Sequence, residues 1–403
     1  GDLVFDSYIK DKFRFKNPKK NYIFYSILFR AILKTQRILS LTKKMKIKFI
    51  IVSTLSYANN DAIFLRVGLK KKIRVVECHH FHNKTGLLVY NNNHLKYGPR
   101  HLHSDKHQYK KFNKLKINSF KLNRFINMRF KNKIKLYHTN NRDIKVANQN
   151  KTKISKEFFL KKYASKRNYE KIILFAPHSF TDAPHADGFQ IGFRDFYAHF
   201  IETLDYIKKL NNKKILWVVR PHPLSNYYGE KNIVENYLKE FNLGNVIICP
   251  KNISTNNLIL ICDNVITCKG TIGLEFACAG KISITCGNPP YSNFNICFET
   301  NSKKKYFSEL KKLNNSNKKL SLSKTNLAKK LLFYFETVNP FSNLNTSQIF
   351  HDLFYRINQN KDDKCWKVLL DRYKKFDGFK NDKFYYDCNS KIKKIMKNHY
   401  IEK

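Results

Sequence analysis

The sequence predicts an α/β protein whose clearest part is a parallel, doubly wound sheet. Five short apolar runs between residues 171 and 286 alternate with amphipathic segments of helical period. That is the pattern of strands joined by helical crossovers. Polar and glycine-bearing turns follow two of these runs directly, at the carboxyl ends of the strands, where open α/β sheets bind ligands. A third sign is the strand–turn–helix–strand order between residues 48 and 77, which reads as one βαβ unit. At 403 residues the chain can bury a sizeable core and most naturally forms two domains.

Taken in order, residues 22–41 carry apolar residues at helical spacing with basic residues between them, an amphipathic helix. Residues 48–53 are strand-like, 62–69 helical, and 73–77 the next strand. Residues 94–132 are polar, basic and rich in histidine with little period, and are expected to be irregular. The clearer half opens with a strand at 171–176. A helix at 195–210 follows, with Phe196, Phe200, Leu204 and Ile207 at helical spacing. Strands at 215–219, 246–249, 265–268 and 282–286 are then separated by helices at 233–241, 255–261 and 273–279. Beyond Ser302 the pattern is helical, and the tail from residue 361 is aromatic and basic. The expected division is residues 1–165, 166–300 and a helical extension, 301–403. The chain opens at Gly1 without an initiator Met, so further sequence is expected before it.

The net charge of +47 calls for a polyanionic setting. The lysines are spread along the chain, and no arginine-rich arm, zinc finger or RNA-recognition signature accompanies them, so nucleic acid is disfavoured as the main partner. Anionic lipid headgroups, nucleotide sugars and acidic glycans need no sequence readout and suit such a surface better. No apolar run approaches the ~20 residues of a membrane span, and no basic start with an apolar core opens the chain. The nine cysteines form no regular framework. Cys249, Cys262, Cys268, Cys278 and Cys286 sit in or beside apolar runs, as small buried hydrophobes do. A cytoplasmic protein, with peripheral contact at the anionic inner membrane, fits these features.

Three turns could carry chemistry. Arg220-Pro221-His222-Pro223 follows the 215–219 run, and its guanidinium and imidazole are donors for a diphosphate or a sugar carboxylate. Gly270-Thr271-Ile272-Gly273-Leu274-Glu275 follows the 265–268 run. There the glycines allow a sharp turn and close approach to a ligand, and a helix start offers N–H groups to phosphate. Glu275 is either a carboxylate suited to a helix N-terminus or an acceptor for sugar hydroxyls. The third turn, Pro177 to His185, brings His178, Asp182 and His185 together after the 171–176 strand. These are candidates for a general base, with a polar helix-capping loop or a metal site as rival readings. His79, His80, His82, His101, His103 and His107 look like metal ligands at first sight, but only Cys78 lies near them, and a structural zinc is disfavoured. Tyr57 and Arg66 flank the first βα turn, within reach of a cleft.

With Gly1-Asp2-Leu3-Val4-Phe5-Asp6-Ser7-Tyr8 at the start, these turns in this order resemble bacterial capsule polysaccharide biosynthesis proteins. Those are relatives of the Kdo-transferring enzymes of capsule assembly and, more distantly, of polysialyl- and teichoic-acid polymerising transferases. The resemblance is carried mainly by residues 166–300. It implies a GT-B-like fold, two Rossmann-like domains facing across a cleft, with an acceptor-side domain at 1–165 and a donor-binding domain at 166–300. By position it implies that His222 contacts the donor's phosphate or carboxylate, and that Gly270 and Thr271 contact its phosphate region. Where related transferases often have a serine-rich turn, this chain has Cys268-Lys269-Gly270-Thr271, with a single hydroxyl.

The expected function is therefore a metal-independent glycosyltransferase without a cofactor, moving sugar from a nucleotide-sugar donor to a glycan or lipid-linked acceptor. The candidate catalytic residues are Asp182, His178 and His185. Those for the donor are Arg220, His222, Gly270, Thr271, Gly273 and Glu275. No Asp-x-Asp element stands at a strand end to hold a metal. A polyol-phosphate transferase or nucleotide-sugar epimerase is the alternative on the same fold, and a non-catalytic polyanion-binding protein the alternative from another class.

Overall fold

The computed structural model describes residues 1–10, 14–52, 57–81, 84–90, 112–130, 154–164, 168–185 and 192–335, without 224, 227, 288, 290 and 315–317, and then 342–343 and isolated positions beyond. The N-terminal part holds α1 (Asp2–Ile9), α2 (Tyr22–Lys44), β1 (Phe49–Val52), α3 (Ala62–Lys70), β2 (Arg74–Phe81) and β3 (Lys84–Tyr90). β1 and β2 pair in parallel across α3, the expected βαβ unit. β3 then returns antiparallel, with Val75 opposite Tyr90 and Phe81 opposite Lys84. A short strand at Ser342–Asn343 pairs antiparallel with β3 and completes a mixed four-stranded sheet. This sheet therefore shares only its first crossover with a doubly wound fold, among the described residues.

Two further helices lead to the second sheet, α4 (Ser119–Phe130) and α5 (Lys156–Tyr163). α4 corrects the expectation of irregular chain at 94–132. Leu122, Phe125 and Ile126 fall three and four residues apart on one face and are buried. Their partners come from distant chain, with Phe125 edge-on to Phe333 at 5.1 Å, so local composition gave little sign of the helix.

The second sheet is built from β4 (Lys171–Ala176), α6 (Phe196–Leu210), β5 (Ile215–Val219), α7 (Ile233–Phe241), β6 (Val246–Ile248), α8 (Thr255–Ile261), β7 (Asn264–Thr267), α9 (Ile272–Cys278), β8 (Ser283–Thr285) and β9 (Phe298–Glu299). Its order is β6-β5-β4-β7-β8-β9, and every pairing is parallel. The order reverses between β4 and β7, so the crevice beyond their carboxyl ends is the place a ligand enters such a sheet.

Strand alternation sorts the core into two layers. Ile173, Phe175, Trp217, Val219, Ile266 and Ile284 face α6 and α7, together with Tyr306, Leu310 and Leu313 of α10 (Lys303–Asn314). Ile172, Leu174, Leu216, Val218 and Val265 face α8, Phe159 of α5 and Phe276 of α9. The chain just beyond residue 300 is thus part of the same core. α11 (Leu322–Phe333) packs on α9 and α4. The five cysteines expected to act as buried hydrophobes are buried, and burial pushes the Cys249 thiol up to about 11.

Candidate functional site

Three loops meet at the reversal point. The first leaves β4 at Ala176. His178 turns its ring edge-on to Phe196 at the start of α6, 4.5 Å between centroids, and its Nε2 lies 3.1 Å from Asp182 Oδ2. Burial drives the His178 pKa down, against the pull of Asp182, and the net shift is downward. Burial alone would raise Asp182. The bond and charge of His178, helped by Lys269 and His222, overcome it and hold this carboxyl well below the usual carboxylate range. The pair therefore rests as a neutral imidazole beside a carboxylate.

The loop is held from beneath by Glu230, which is 3% exposed. One oxygen of Glu230 accepts from Ser179 Oγ (2.9 Å), Thr181 N–H (2.8 Å) and Thr181 Oγ1 (2.8 Å). Tyr57 Oη donates to the Thr181 carbonyl at 2.8 Å from the N-terminal side. Just beyond these anchors Ala183 takes a left-handed backbone, φ 39°, a conformation that costs an L-residue about 1–2 kcal/mol. Such local strain persists where its surroundings over-determine it.

The second loop leaves β5. The Arg220 amide donates to the Phe175 carbonyl at 2.9 Å, which locks it against β4. The His222 ring lies 5.3 Å from that of His178. The His222 carbonyl accepts from Ser225 N–H and Oγ, and the Glu230 amide donates to the Ser225 carbonyl, so the carboxylate under the first loop is wired to the second. Nη1 of Arg220 is buried without a hydrogen-bond partner among the described residues. A cationic donor in that state is suited to an incoming anion.

The third loop leaves β7. Lys269 Nζ sits 5.3 Å over the Phe196 ring, so Phe196 stands between Lys269 and His178. Thr271 is exposed, and its hydroxyl makes no bond to the helix it caps. The two glycines serve packing. A Cβ on Gly270 would press on Thr267 Oγ1 at 2.8 Å, and one on Gly273 would overlap the Tyr291 hydroxyl. Tyr291 itself donates to the Gly270 carbonyl at 2.7 Å. Neither glycine has a left-handed φ.

The structure thus brings His178, Asp182, Arg220, His222 and Thr271 to one edge of one sheet and leaves two expected residues elsewhere. His185 turns away from His178. Its Nδ1 lies 2.7 Å from Asp6 Oδ1, and its amide donates to Asp6 Oδ2 at 2.9 Å. Glu275 is buried in an ion pair with Arg129 of α4 at 2.5 Å, so one of its oxygens is already engaged inside the fold. Arg66 likewise pairs with Asp2 at 2.6 Å. Among the described residues no group of three His, Cys, Asp or Glu is placed to hold a metal. Of the six histidines considered as ligands, His79 and His80 lie on β2, and His82, His101, His103 and His107 fall outside the described residues. Sequence reasoning missed Glu230 and the position of Lys269. Lys269 stood inside the quoted turn, but Glu230 follows an ordinary Gly229 and only burial marks it.

A family model described as capsule polysaccharide biosynthesis protein matches residues 82–331. This chain belongs to that family. The matched span holds all three loops, so the candidate site of this capsule polysaccharide biosynthesis protein lies within the family's own region. It reaches well before residue 166, into the half where the sequence resemblance was thin. Among solved structures, two KpsC transferases of Thermosulfurimonas dismutans are similar. The beta Kdo 2,4 transferase is 14% identical, covering 69% of this chain and 78% of that one, with a TM-score of 0.36. The beta Kdo 2,7 transferase is 17% identical over 73% and 80%, also with a TM-score of 0.36. The UDP-GlcNAc 2-epimerase of Methanocaldococcus jannaschii is 12% identical over 78% and 82%, with a TM-score of 0.31. None of the curated proteins matches the chain.

Proposed function

We propose that this capsule polysaccharide biosynthesis protein is a glycosyltransferase that moves a sugar from a nucleotide-sugar donor to a growing glycan or its lipid-linked precursor. The observation that carries the reading is the junction of β4, β5 and β7, whose loops gather the His178–Asp182 pair, the His222 ring 5.3 Å from His178, Lys269 over Phe196, and the buried, unpartnered Nη1 of Arg220. In this reading Arg220, Lys269, the His222 imidazole and the Thr271 hydroxyl take the donor's phosphates. Fixed donors of that kind offset charge on a leaving diphosphate without a metal ion. His178, oriented by Asp182, takes the proton of the acceptor hydroxyl, and Asp182 stays ionised as the orienting group. Family membership supports the setting, and the cationic crevice supports the donor class. The reading assigns the donor to residues 166–300 and the acceptor to residues 1–165.

The test is titration of the protein with CMP- and UDP-linked sugars, followed by thermal shift, since a ligand of the native state raises its melting temperature. One donor should bind, His222→Ala should weaken it about tenfold or more, and its own melt should match the wild type's. Turnover should survive exhaustive EDTA treatment. Activity abolished by EDTA and restored by magnesium or manganese would end the metal-free part of the reading. No binding of any nucleotide sugar would end the reading itself.

A further inference from the structure

We infer that α2 is a membrane-contact helix that lies on an anionic lipid bilayer. Asn21 caps its start by accepting from the amides of Ile23 and Phe24, and the helix runs 23 residues. One face packs on α1 and α3 through Leu28, Ala31, Ile38 and Leu39. Beside that face, an apolar stripe runs along the first half of the helix. Tyr22, Tyr25, Phe29 and Ile32 follow one another by three, four and three residues, so they form one stripe, and they are 81%, 55%, 61% and 47% exposed. Scattered exposed apolar residues are ordinary, but a continuous stripe on one helix marks a contact surface.

Charge says what the contact is. From residue 12 to residue 60 the chain carries twelve Lys or Arg and no Asp or Glu. Arg30, Arg37, Lys43 and Lys44 are exposed on α2 itself. An aromatic and aliphatic stripe flanked by basic residues with no acid is the design of a helix that lies in the headgroup region of an anionic bilayer. It is no span, because no described helix is long and apolar enough to cross a membrane. An apolar pocket of about 490 Å³ between α1, α2 and α3 opens beside the stripe and shares Ile32 with it, giving an acyl chain somewhere to enter. The helix is also tied to the candidate site. Tyr8 of α1 meets Phe24 edge-on at 5.5 Å, and Asp6 of the same helix holds His185 of the first loop. A docked α2 therefore brings that loop near the lipid surface.

The experiment is flotation of the full chain with vesicles of phosphatidylcholine alone and of equal parts phosphatidylcholine and phosphatidylglycerol. The wild type should float with the anionic vesicles and only weakly with the neutral ones. Replacing Tyr22, Tyr25 and Phe29 together by Ser should weaken anionic-vesicle binding roughly tenfold or more, with an unchanged thermal melt because all three are exposed. Replacing Arg30, Arg37, Lys43 and Lys44 together by Ala should do likewise. A wild type that stays with the soluble fraction overturns the inference. So does a triple-Ser variant that floats like the wild type, since diffuse charge alone would then explain binding. A dimer that the triple-Ser variant dissociates, without any change in flotation, would make a second copy of the chain the occupant and overturn it as well.

Discussion

In the proposed reaction His178 is the base and Asp182, whose carboxyl is held well below the usual carboxylate range by His178, the group that orients it. His178 titrates below the ordinary imidazole range because burial opposes its charge, while Asp182 pulls upward and Lys269 downward. The acid limb of kcat should therefore lie below about pH 6.5, the unperturbed imidazole value. Asp182→Asn should push that limb lower still and cut kcat by roughly 10²–10⁴-fold if the orientation is lost with the charge. Lys269→Met should move the limb the opposite way, since it removes a cation that disfavours protonation. Profiles of kcat against pH for the three proteins decide the matter, and a limb that no substitution moves would take His178 out of the reaction. At this scale the sequence was legible in placement, since His178, Asp182, Arg220 and His222 each follow a strand and come to one edge of one sheet. It was misleading where a nearby charge found a remote partner, as His185 did in Asp6 and Glu275 in Arg129.

The first loop is an element without regular structure, and its shape depends on one buried carboxylate. Ser179 Oγ, Thr181 Oγ1 and the Thr181 amide all end on Glu230 Oε1, inside the protein. Removing that acceptor leaves three buried donors unsatisfied, at about 1–3 kcal/mol for each buried group so stranded. Glu230→Leu should lower the melting temperature and also reduce kcat by an order of magnitude or more, because His178 and Asp182 ride on the same loop. Glu230→Gln keeps an acceptor oxygen and should restore most of both, whereas a role in shuttling the proton would not survive that change. Equal activity of Leu and Gln variants would show that the loop keeps its shape unaided. Elements with a local signal were legible in the sequence, and β4, β5, α7 and α8 fall at their expected limits. β3 and α4 were not, because their order comes from pairing and packing with residues far along the chain.

Over the whole molecule the N-terminal segment does more than lead into the first sheet. Tyr8, Ile9 and Phe15 are buried in the same core as α6 and β4, and α1 joins that core to α2 and α3. The polar clasp in this joint is Asp6 with His185. Asp6 is fully buried. Burial works to lower the His185 pKa, but the bond to Asp6 and its charge prevail, and the net shift is upward. A histidine whose folded pKa lies above its unfolded value contributes stability that is complete below the unfolded pKa, about 6.5. That stability disappears as pH rises through the folded pKa. The total melting curve will not show this plainly, because His178 is shifted downward and His199 is driven by burial to about 3, both of which favour the fold as pH rises. The difference between wild type and His185→Gln isolates it, since the other histidines stay in both proteins. That difference in stability should be largest below pH 6.5 and shrink steadily on the alkaline side. Urea titrations across that range give it directly. A gap that stays constant with pH, or widens as pH rises, would mean that His185 is held by shape alone and that the clasp carries no charge.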